Sequence, residues 1–253
     1  MSTQKYSDTL PSNLYLSEQI KVAEQKSAKN NHLSMYSLME KAGHAVFETV
    51  VAHYPEVSHL IIIAGGGNNG GDAFVVGRLG LMAGFKVSVY SKSIENQSAL
   101  DQSSTLTEDA KTAAQSFVGA GGDILPLASF IDSELQLNSR FDVLIDGLLG
   151  HGYRGPLRAL ERQVVSKVNR LNINIVAIDL PSGLEANTGA VNPIAVKADY
   201  TVTFVGLKPG LFTADGPDHH GAIVFAGLEI DQDVSAIARP HSRLVHQYSI
   251  MKM

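Results

Sequence analysis

The sequence predicts an α/β fold in which helices cover both faces of a mainly parallel central sheet. Short apolar runs rich in β-branched residues, such as HLIIIA (59–64) and NIVAIDL (174–180), indicate strands that are buried on both faces. Stretches with helical spacing of apolar residues alternate with these runs, which is typical of βαβ units. No internal repeat or linker divides the 253 residues, so we expect one domain with an N-terminal helical extension.

The elements follow one another in a regular order. Residues 1–13 are polar and are predicted to be flexible. Two helical patterns come next, with Ser17 and Ser34 as the expected N-caps. The predicted strands that follow are 59–64, 86–90, 123–127, 141–149, 174–180, 199–205 and 222–228, and the predicted helices are 72–84, 97–121 and 156–171. Pro156 suits the first turn of the last helix. We expect the domain to span 14–232 and residues 233–253 to form a C-terminal tail.

Composition excludes several classes of protein. The absence of cysteine excludes disulfides, thiolate metal sites and cysteine nucleophiles. A net charge of −5, from 20 basic and 25 acidic residues, argues against a nucleic-acid-binding surface. No apolar stretch approaches the roughly 20 residues that a membrane span needs, and the polar start does not resemble a signal peptide. We therefore expect a cytoplasmic protein that is not bound to membranes.

The glycine-rich segment AGGGNNGGDAF (64–74) follows a predicted strand and opens a helix. Gly65, Gly67 and Gly70 fit the G-x-G-x-x-G fingerprint, in which the backbone turns tightly and a helix N-terminus receives phosphate. However, the second strand ends at Ser91 without an acid for a ribose hydroxyl, which argues against a standard dinucleotide fold. Alternatively, the glycines form only a tight turn, with Asp72 as a helix cap.

The segment DGLLGHGYRGP (146–156) places an acid near the end of a predicted strand, before a second glycine-rich loop. Asp146 and this loop suit a polar or phosphorylated ligand, and Arg154 could supply a charge for phosphate. Alternatively, the loop is solvated and Asp146 is satisfied by backbone N–H groups. His151 by itself is weak evidence for catalysis.

Two further segments carry charged residues after predicted strands. In AIDLPSGLEANTG (177–189), Asp179 ends a strand. Since parallel strands end at one sheet edge, Asn69, Asp146 and Asp179 should line one crevice, where acids suit proton transfer or a hard cation. In TVTFVGLKPGLFT (201–213), Lys208 could hold Asp179 ionised or bind a phosphate. Alternatively, Asp179 only bonds within its turn and Lys208 lies at the surface.

The adjacent histidines in DGPDHHG (215–221) look like a pair of zinc ligands. No third histidine or acid follows at a recognisable spacing, so this segment is interpreted as a surface loop.

Four motifs in this order, GGGNNGGDAF, DGLLGHGYRGP, IDLPSG and TFVGLKPGL, preceded by LMEKAG, resemble the YjeF N-terminal domain family. The resemblance covers about residues 14–230. It implies a Rossmann-like three-layer α/β/α sandwich and NAD(P)H-hydrate epimerase activity. Such enzymes interconvert the R and S epimers of NADH or NADPH hydrated at C6, and a separate ATP- or ADP-dependent dehydratase then restores the S form.

The resemblance also implies the residues of the site. Substrate binding is implied for Asn68, Asn69, Gly70, Gly71, Asp72, Gly150, His151, Gly152, Tyr153, Arg154, Gly155, Pro156 and Asp179. Binding of a potassium ion is implied for Asn69, Asp146 and Ser182, whose oxygen atoms suit a hard cation. Two positions depart from the family pattern, Ala73 in place of glycine and Leu149 in place of an aromatic residue. A homodimer is implied by resemblance only.

The resulting hypothesis assigns proton transfer during inversion at C6 to Asp179, with Lys208 as its partner. Two other functions remain open. A non-catalytic nucleotide-binding or interaction module of the same fold would not need Asn69, Asp146, Asp179 and Ser182 together. An NADP-dependent oxidoreductase is disfavoured because the second strand lacks the terminal acid.

Overall fold

In the computed structural model, which describes residues 10–93 and 105–245, seven parallel strands form the central sheet. The strands of the chain are β1 (Asn13–Leu14), β2 (His59–Ala64), β3 (Lys86–Ser91), β4 (Ile124–Pro126), β5 (Asp142–Gly147), β6 (Asn174–Ile178), β7 (Tyr200–Phe204), β8 (Ala222–Ala226) and β9 (Ser242–Arg243). The helices are α1 (Ser17–Asn30), α2 (Met35–His53), α3 (Asn68–Met82), α4 (Glu108–Gly119), α5 (Leu127–Asp132), α6 (Ala159–Val168) and α7 (Asp231–Ile237).

The sheet order is β4-β3-β2-β5-β6-β7-β8, so the chain leaves β2 toward one edge and returns through β5 to the other side. Open sheets of this kind bind ligands at the carboxyl ends of the strands, beside the point where the order reverses. The register pairs Ile63 with Asp146, and Asp146 with Ala177. The loops after β2, β5 and β6 therefore leave the sheet at one edge.

Two apolar layers cover the sheet, as the alternation of side chains along its strands requires. Leu60 and Ile62 point into the layer formed with α2, α3 and α4, which α1 and α7 extend. Ile61 and Ile63 point into the opposite layer, formed with α5 and α6. The predicted three-layer α/β/α sandwich is thus confirmed, and every pairing in the described seven-stranded sheet is parallel.

Several boundaries differ from the prediction. Leu16, rather than Ser17, is the N-cap of α1, because the Gln19 side chain accepts the Leu16 N–H and Ser17 bonds Asn187 instead. Ser34 does cap α2. Pro156 precedes α6, whose N-cap is Arg158, since Glu161 accepts the Arg158 N–H.

The remaining differences concern the ends of elements and of the chain. The start of the predicted helix 97–121 lies outside the described residues, and α4 begins at Glu108. The short helix α5 was not predicted. The predicted flexible segment 1–13 lies largely outside the described residues, and its last residue begins β1. Of the expected tail 233–253, residues 233–237 belong to α7, which packs on α1, and β9 pairs with β1, while residues 246–253 lie outside the described residues.

Candidate active site

A cavity of about 700 Å³ lies at the carboxyl ends of the strands, beside the β2–β5 reversal point. Its wall combines the loops after β2, β3, β5 and β6 with residues of α1 and α2. The predicted substrate-binding residues that line it are Asn68, Asn69, Asp72, Gly150, His151, Gly152, Tyr153 and Asp179. The cavity volume falls in the range of small-molecule sites.

Other predicted residues lie behind this wall or beside it. Among the described residues, the lining does not include Gly70, Gly71, Arg154, Gly155, Pro156 or Lys208. Gly70 is required for packing: a Cβ there would lie 2.0 Å from the Gly65 carbonyl oxygen. Gly66 and Gly67 line the cavity. In this glycine-rich segment, Gly70 is therefore needed for backbone packing, whereas Gly66 and Gly67 can face a ligand.

Asp179 lies at the centre of a buried charged network. Its Oδ2 lies 2.7 Å from His151 Nδ1, and its Oδ1 accepts hydrogen bonds from Lys208 Nζ at 2.5 Å and Thr203 Oγ1 at 3.2 Å. Lys208 also donates to the Phe204 carbonyl at 2.9 Å. The side chain of Lys208 is fully buried, so the surface position considered for it is wrong. The cluster joins the ends of β6 and β7 to the loop after β5.

The backbone of Asp179 adopts an uncommon conformation. Its φ angle is +65°, in the left-handed region that aspartate and asparagine tolerate better than other non-glycine residues. This turn follows directly on Ile178, the last residue of β6. Asp179 thus ends the strand with a left-handed turn.

The charged groups of this network determine the protonation states of Asp179 and His151. Burial alone would raise the pKa of Asp179, but the Lys208 ammonium and then His151 outweigh burial and hold that pKa well below its usual range. Burial alone would lower the pKa of His151, yet the charge of Asp179 raises it. Because an ionised Asp179 can only accept a hydrogen bond, His151 Nδ1 carries a proton. Asp179 is therefore an anion that orients His151.

Two other carboxyl groups face the cavity. Asp72 is 8% exposed, and burial, followed by the charges of Asp179 and Glu24, raises its pKa well above its usual range. Glu24 of α1 lines the cavity too, and burial raises its pKa against the opposing effects of His151 and Lys208. The site therefore contains one carboxylate with a lowered pKa, Asp179, and two carboxyl groups with raised pKa values, Asp72 and Glu24.

The three residues implied for potassium lie together around Leu149. Asn69 Nδ2 donates to the Leu149 carbonyl at 3.0 Å, and the Leu149 N–H donates to Ser182 Oγ at 2.9 Å. Ser182 in turn donates to Asp146 through its hydroxyl at 2.6 Å and its backbone N–H at 2.8 Å. Asp146 also accepts the Leu148 N–H at 3.3 Å, so part of its bonding is to backbone, as the alternative interpretation held.

Asp146 is a buried carboxylate without a cationic neighbour in the described part of the chain. It is 2% exposed, and no described lysine, arginine or histidine forms an ion pair with it. Burial raises its pKa to about 6 despite the hydrogen bonds from Ser182 and Leu148. A buried carboxylate, a hydroxyl and a carbonyl form an oxygen-rich set that fits a hard cation.

Arg154 serves as a tether in this structure. Its guanidinium pairs with Glu18 of α1 at 2.8 Å and with Glu185 at 3.2 Å. It also donates to the carbonyl oxygens of His151 and Tyr153 at 2.9 and 2.7 Å. These contacts connect the loop after β5 with the N-terminal helix.

Sequence reasoning missed the contribution of α1 and of three basic residues. Lys21, Lys92 and Arg158 line the cavity, where they can face phosphate groups. Glu24 also went unnoticed, although the sequence carries a signal for it. It lies four residues from both Ile20 and Ala28, which are buried, so it continues their face of the helix.

The adjacent histidines lie away from this site. His219 Nδ1 and His220 Nδ1 contact the backbone carbonyls of Asp215 and Gly221. No group of three or more histidine and acidic side chains suited to a metal occurs within residues 10–93 and 105–245. Over the same residues, no helix combines the length and apolar character needed to cross a membrane.

Comparison with known proteins decides the family. The family model described as YjeF-related protein N-terminus matches residues 35–210. The chain belongs to this family. The match includes the first three motifs, residues 203–210 of the fourth and the Asp179–Lys208 pair, so the resemblance found from the motifs is confirmed.

The relatives of this family member differ in length. The bifunctional NAD(P)H-hydrate repair enzyme Nnr of Escherichia coli K12 is 34% identical over 223 residues, which are 88% of this chain and 41% of that protein. The NAD(P)H-hydrate epimerase of Limosilactobacillus fermentum is 34% identical over 217 residues, or 83% of this chain and 97% of that protein. The chain thus spans about two fifths of the bifunctional relative and nearly all of the epimerase.

A solved structure supports the fold independently. The crystal structure of yeast ynu0, YNL200c, superposes with a TM-score of 0.70, covering 92% of this chain and 96% of the yeast chain at 17% identity. The three-layer architecture is therefore found in a solved protein with a very different sequence.

Proposed function

We propose that this chain is an NAD(P)H-hydrate epimerase, which interconverts the R and S epimers of NADH or NADPH hydrated at C6. The observation that carries the proposal is the cavity in which ionised Asp179 contacts both His151 and Lys208. The epimerase of L. fermentum, which this chain matches over nearly its whole length, supports the same activity.

Inversion at C6 requires the hydroxyl to leave one face and return to the other. The departing oxygen needs a proton, and the returning water must lose one. An anion with the low pKa of Asp179 is a weak base, so we refine its role: it orients His151, whose Nε2 remains for proton exchange. Lys208 keeps Asp179 ionised from behind the cavity wall.

The rest of the cavity suits a dinucleotide. Asn68 and Asn69, at the start of α3, offer amides beside a helix N-terminus. Lys21, Lys92 and Arg158 provide basic groups for phosphate, although Lys92 is paired with Glu161. Arg154 would act indirectly by holding the loop 150–156 in place.

A potassium ion is proposed at Asn69, Asp146 and Ser182. Once bound, it would neutralise Asp146 and stabilise the loop around Leu149, next to His151. We expect Asp146→Asn to abolish any stimulation by potassium. The check is to titrate wild type and variant with potassium chloride, with choline chloride holding ionic strength constant. Equal stimulation of both proteins would contradict this assignment.

Three further expectations follow from the family resemblance. The product would pass to an ATP- or ADP-dependent dehydratase, the enzyme would act as a homodimer, and its compartment would be the cytoplasm. Copurification with the dehydratase activity, sedimentation and cell fractionation test these expectations separately.

The proposed activity is tested with purified R epimer of NADPH hydrate. Proton NMR should show conversion to an R and S mixture far faster with the protein than in buffer. Conversion at the buffer rate would contradict epimerase activity and leave the interaction module as the better interpretation. In a separate substrate screen with NADP+ in place of the hydrate, growth of absorbance at the reduced-nicotinamide band would instead favour an oxidoreductase.

A further inference from the structure

Glu24 is the one acidic residue of α1 that lines the cavity. Helix α1 lies outside the central sheet and packs on α2 and α7. Along α1, Glu24 lies one helical step from Ile20, which is fully buried, and one from Ala28, which is 3% exposed. A carboxyl group therefore occupies the inward face of this helix, where the spacing would favour an apolar residue.

The carboxyl of Glu24 has no structural partner within the described residues. Neither a hydrogen bond nor an ion pair to it occurs there, whereas Glu18 on the same helix pairs with Arg154. A half-buried acid without a partner costs stability, because its charged form loses hydration. Such a group is better explained by a ligand than by folding.

The groups that face Glu24 come from several elements. His151 and Asp179 line the same cavity, Lys208 lies behind Asp179, and Asp72 of α3 is the other carboxyl of the wall. Electrostatic coupling joins Glu24 to His151, Lys208 and Asp179, and joins Asp72 to Glu24. Lys21 lies on the same helix. Glu24 and His151 thus reach the cavity from different elements, α1 and the loop after β5.

We propose that Glu24 exchanges a proton with the C6 oxygen of the hydrate, as the counterpart of His151. This inference rests on the proposed epimerase function and assigns a residue from outside the four family motifs. One of the two groups would serve the face that the hydroxyl leaves, and the other the face to which water returns.

The chemistry balances without any co-reactant. The C6–O bond breaks with its electron pair on oxygen, which takes a proton from the first group and leaves as water, while the N1 lone pair forms an N1=C6 double bond. Water then adds to the opposite face through its own lone pair, N1 regains its pair, and the second group accepts the surplus proton. Exchange with solvent resets both groups.

The first test replaces Glu24 with glutamine and follows epimerisation of NADPH hydrate by NMR. Removing a proton-exchanging group should lower kcat by about 100- to 10,000-fold with KM changed less than about threefold. Glu56→Gln is the matched control, because Glu56 is exposed and pairs with Arg140 away from the cavity. That variant should retain wild-type kcat.

The second test restores the lost group from solution. In Glu24→Ala, added formate should raise kcat at least about tenfold, while the same concentration of chloride should not. Rescue by an external carboxylate would not occur if Glu24 only supported the fold. Thermal unfolding of both variants verifies that they are folded, and removal of an unpaired half-buried charge should not destabilise them.

The outcomes separate the two proposals. Wild-type kcat in Glu24→Gln, a change confined to KM, or loss of kcat without formate rescue would overturn the role of Glu24 and leave the epimerase function standing. Absence of epimerisation by the wild-type protein would overturn the proposed function itself.

Discussion

Lys208 shows at the residue scale how a buried charge defines the site. It is fully buried and binds the only carboxylate of the cavity wall whose pKa is lowered among the described residues. Its N-terminal neighbours Gly206 and Leu207 are buried too, so the segment after β7 brings the ammonium group to Asp179 from beneath the wall. Removing one partner of a buried ion pair leaves an uncompensated buried charge, which is strongly destabilising.

Replacing Lys208 should therefore destabilise the protein. Lys208→Met leaves Asp179 as an uncompensated buried anion, and we expect the free energy of unfolding to fall by about 3 to 5 kcal/mol. Urea denaturation measures this change. Lys197→Met, at an exposed lysine, should cost little, and adding Asp179→Asn to Lys208→Met should recover part of the loss. A loss below about 1 kcal/mol for Lys208→Met would show that the pair is not essential to the fold.

The raised pKa of Asp72 predicts that the stability of the protein depends on pH. Its raised folded-state pKa means that the folded protein holds the Asp72 proton more tightly than the unfolded chain does. The resulting stabilisation is complete below the unfolded pKa of about 3.9 and is lost as pH rises through the folded pKa. We expect the unfolding free energy of Asp72→Asn to fall less steeply than that of wild type above about pH 4.

Urea denaturation at intervals of pH checks this expectation. The exposed Asp123 provides the control, and Asp123→Asn should follow the wild-type curve. Parallel curves for Asp72→Asn and wild type would show that Asp72 titrates alike in the folded and unfolded states.

The sequence predicted the positions of site residues that depend on sheet topology, but it did not predict contacts that depend on how the loops pack. Asn69, Asp146 and Asp179 were expected at one edge because parallel strands end together. The partnership of Asp179 with His151 could not be read from a lone histidine in a glycine-rich loop. Its geometry depends on how that loop folds back over β6, which spacing along the chain does not encode.

At the scale of elements, the N-terminal helix is joined to the site loop by charged side chains. Arg154 and Glu18 connect α1 with the loop 150–156, and Asn187 Nδ2 also donates to Glu18 at 3.3 Å. Both partners of the ion pair are exposed, so the pair itself should contribute less than about 1 kcal/mol to stability. Its effect should instead appear in the position of the loop.

A double-mutant cycle distinguishes a tether from a direct phosphate contact. If Arg154 only tethers the loop, Arg154→Gln and Glu18→Gln should raise KM for the hydrate by similar factors, about two- to tenfold, and the double variant should be no worse than either. Steady-state kinetics with both NADPH and NADH hydrates measures these factors. An increase with Arg154→Gln alone would assign Arg154 to the phosphate groups.

Element boundaries show the limits of sequence patterns. Ser34 was correctly predicted as an N-cap, because its side chain accepts a hydrogen bond from the Ser37 N–H in the first turn of the same helix. Ser17 and Pro156 were not, since Gln19 and Glu161 accept the N-terminal N–H groups of those helices. The six-residue helix α5 was missed because it is too short for a periodic signal.

At the scale of the whole molecule, the central sheet positions most of the site residues, and the N-terminal helix α1 supplies the others. The reversal between β2 and β5 opens the crevice, and the loops after β2, β5 and β6 supply Asn69, His151 and Asp179. Helix α1 adds Lys21 and Glu24 to the wall of this crevice. The central claim is that the network around Asp179 carries out epimerisation in this cavity.

The most direct measurement of that claim compares wild type with Asp179→Asn, starting from the R epimer of NADPH hydrate. Asparagine tolerates the left-handed backbone at this position, so the variant should remain folded by circular dichroism. We predict rapid epimerisation by wild type and a loss of at least about 100-fold in kcat for the variant. Near-normal turnover by a folded Asp179→Asn would contradict the account.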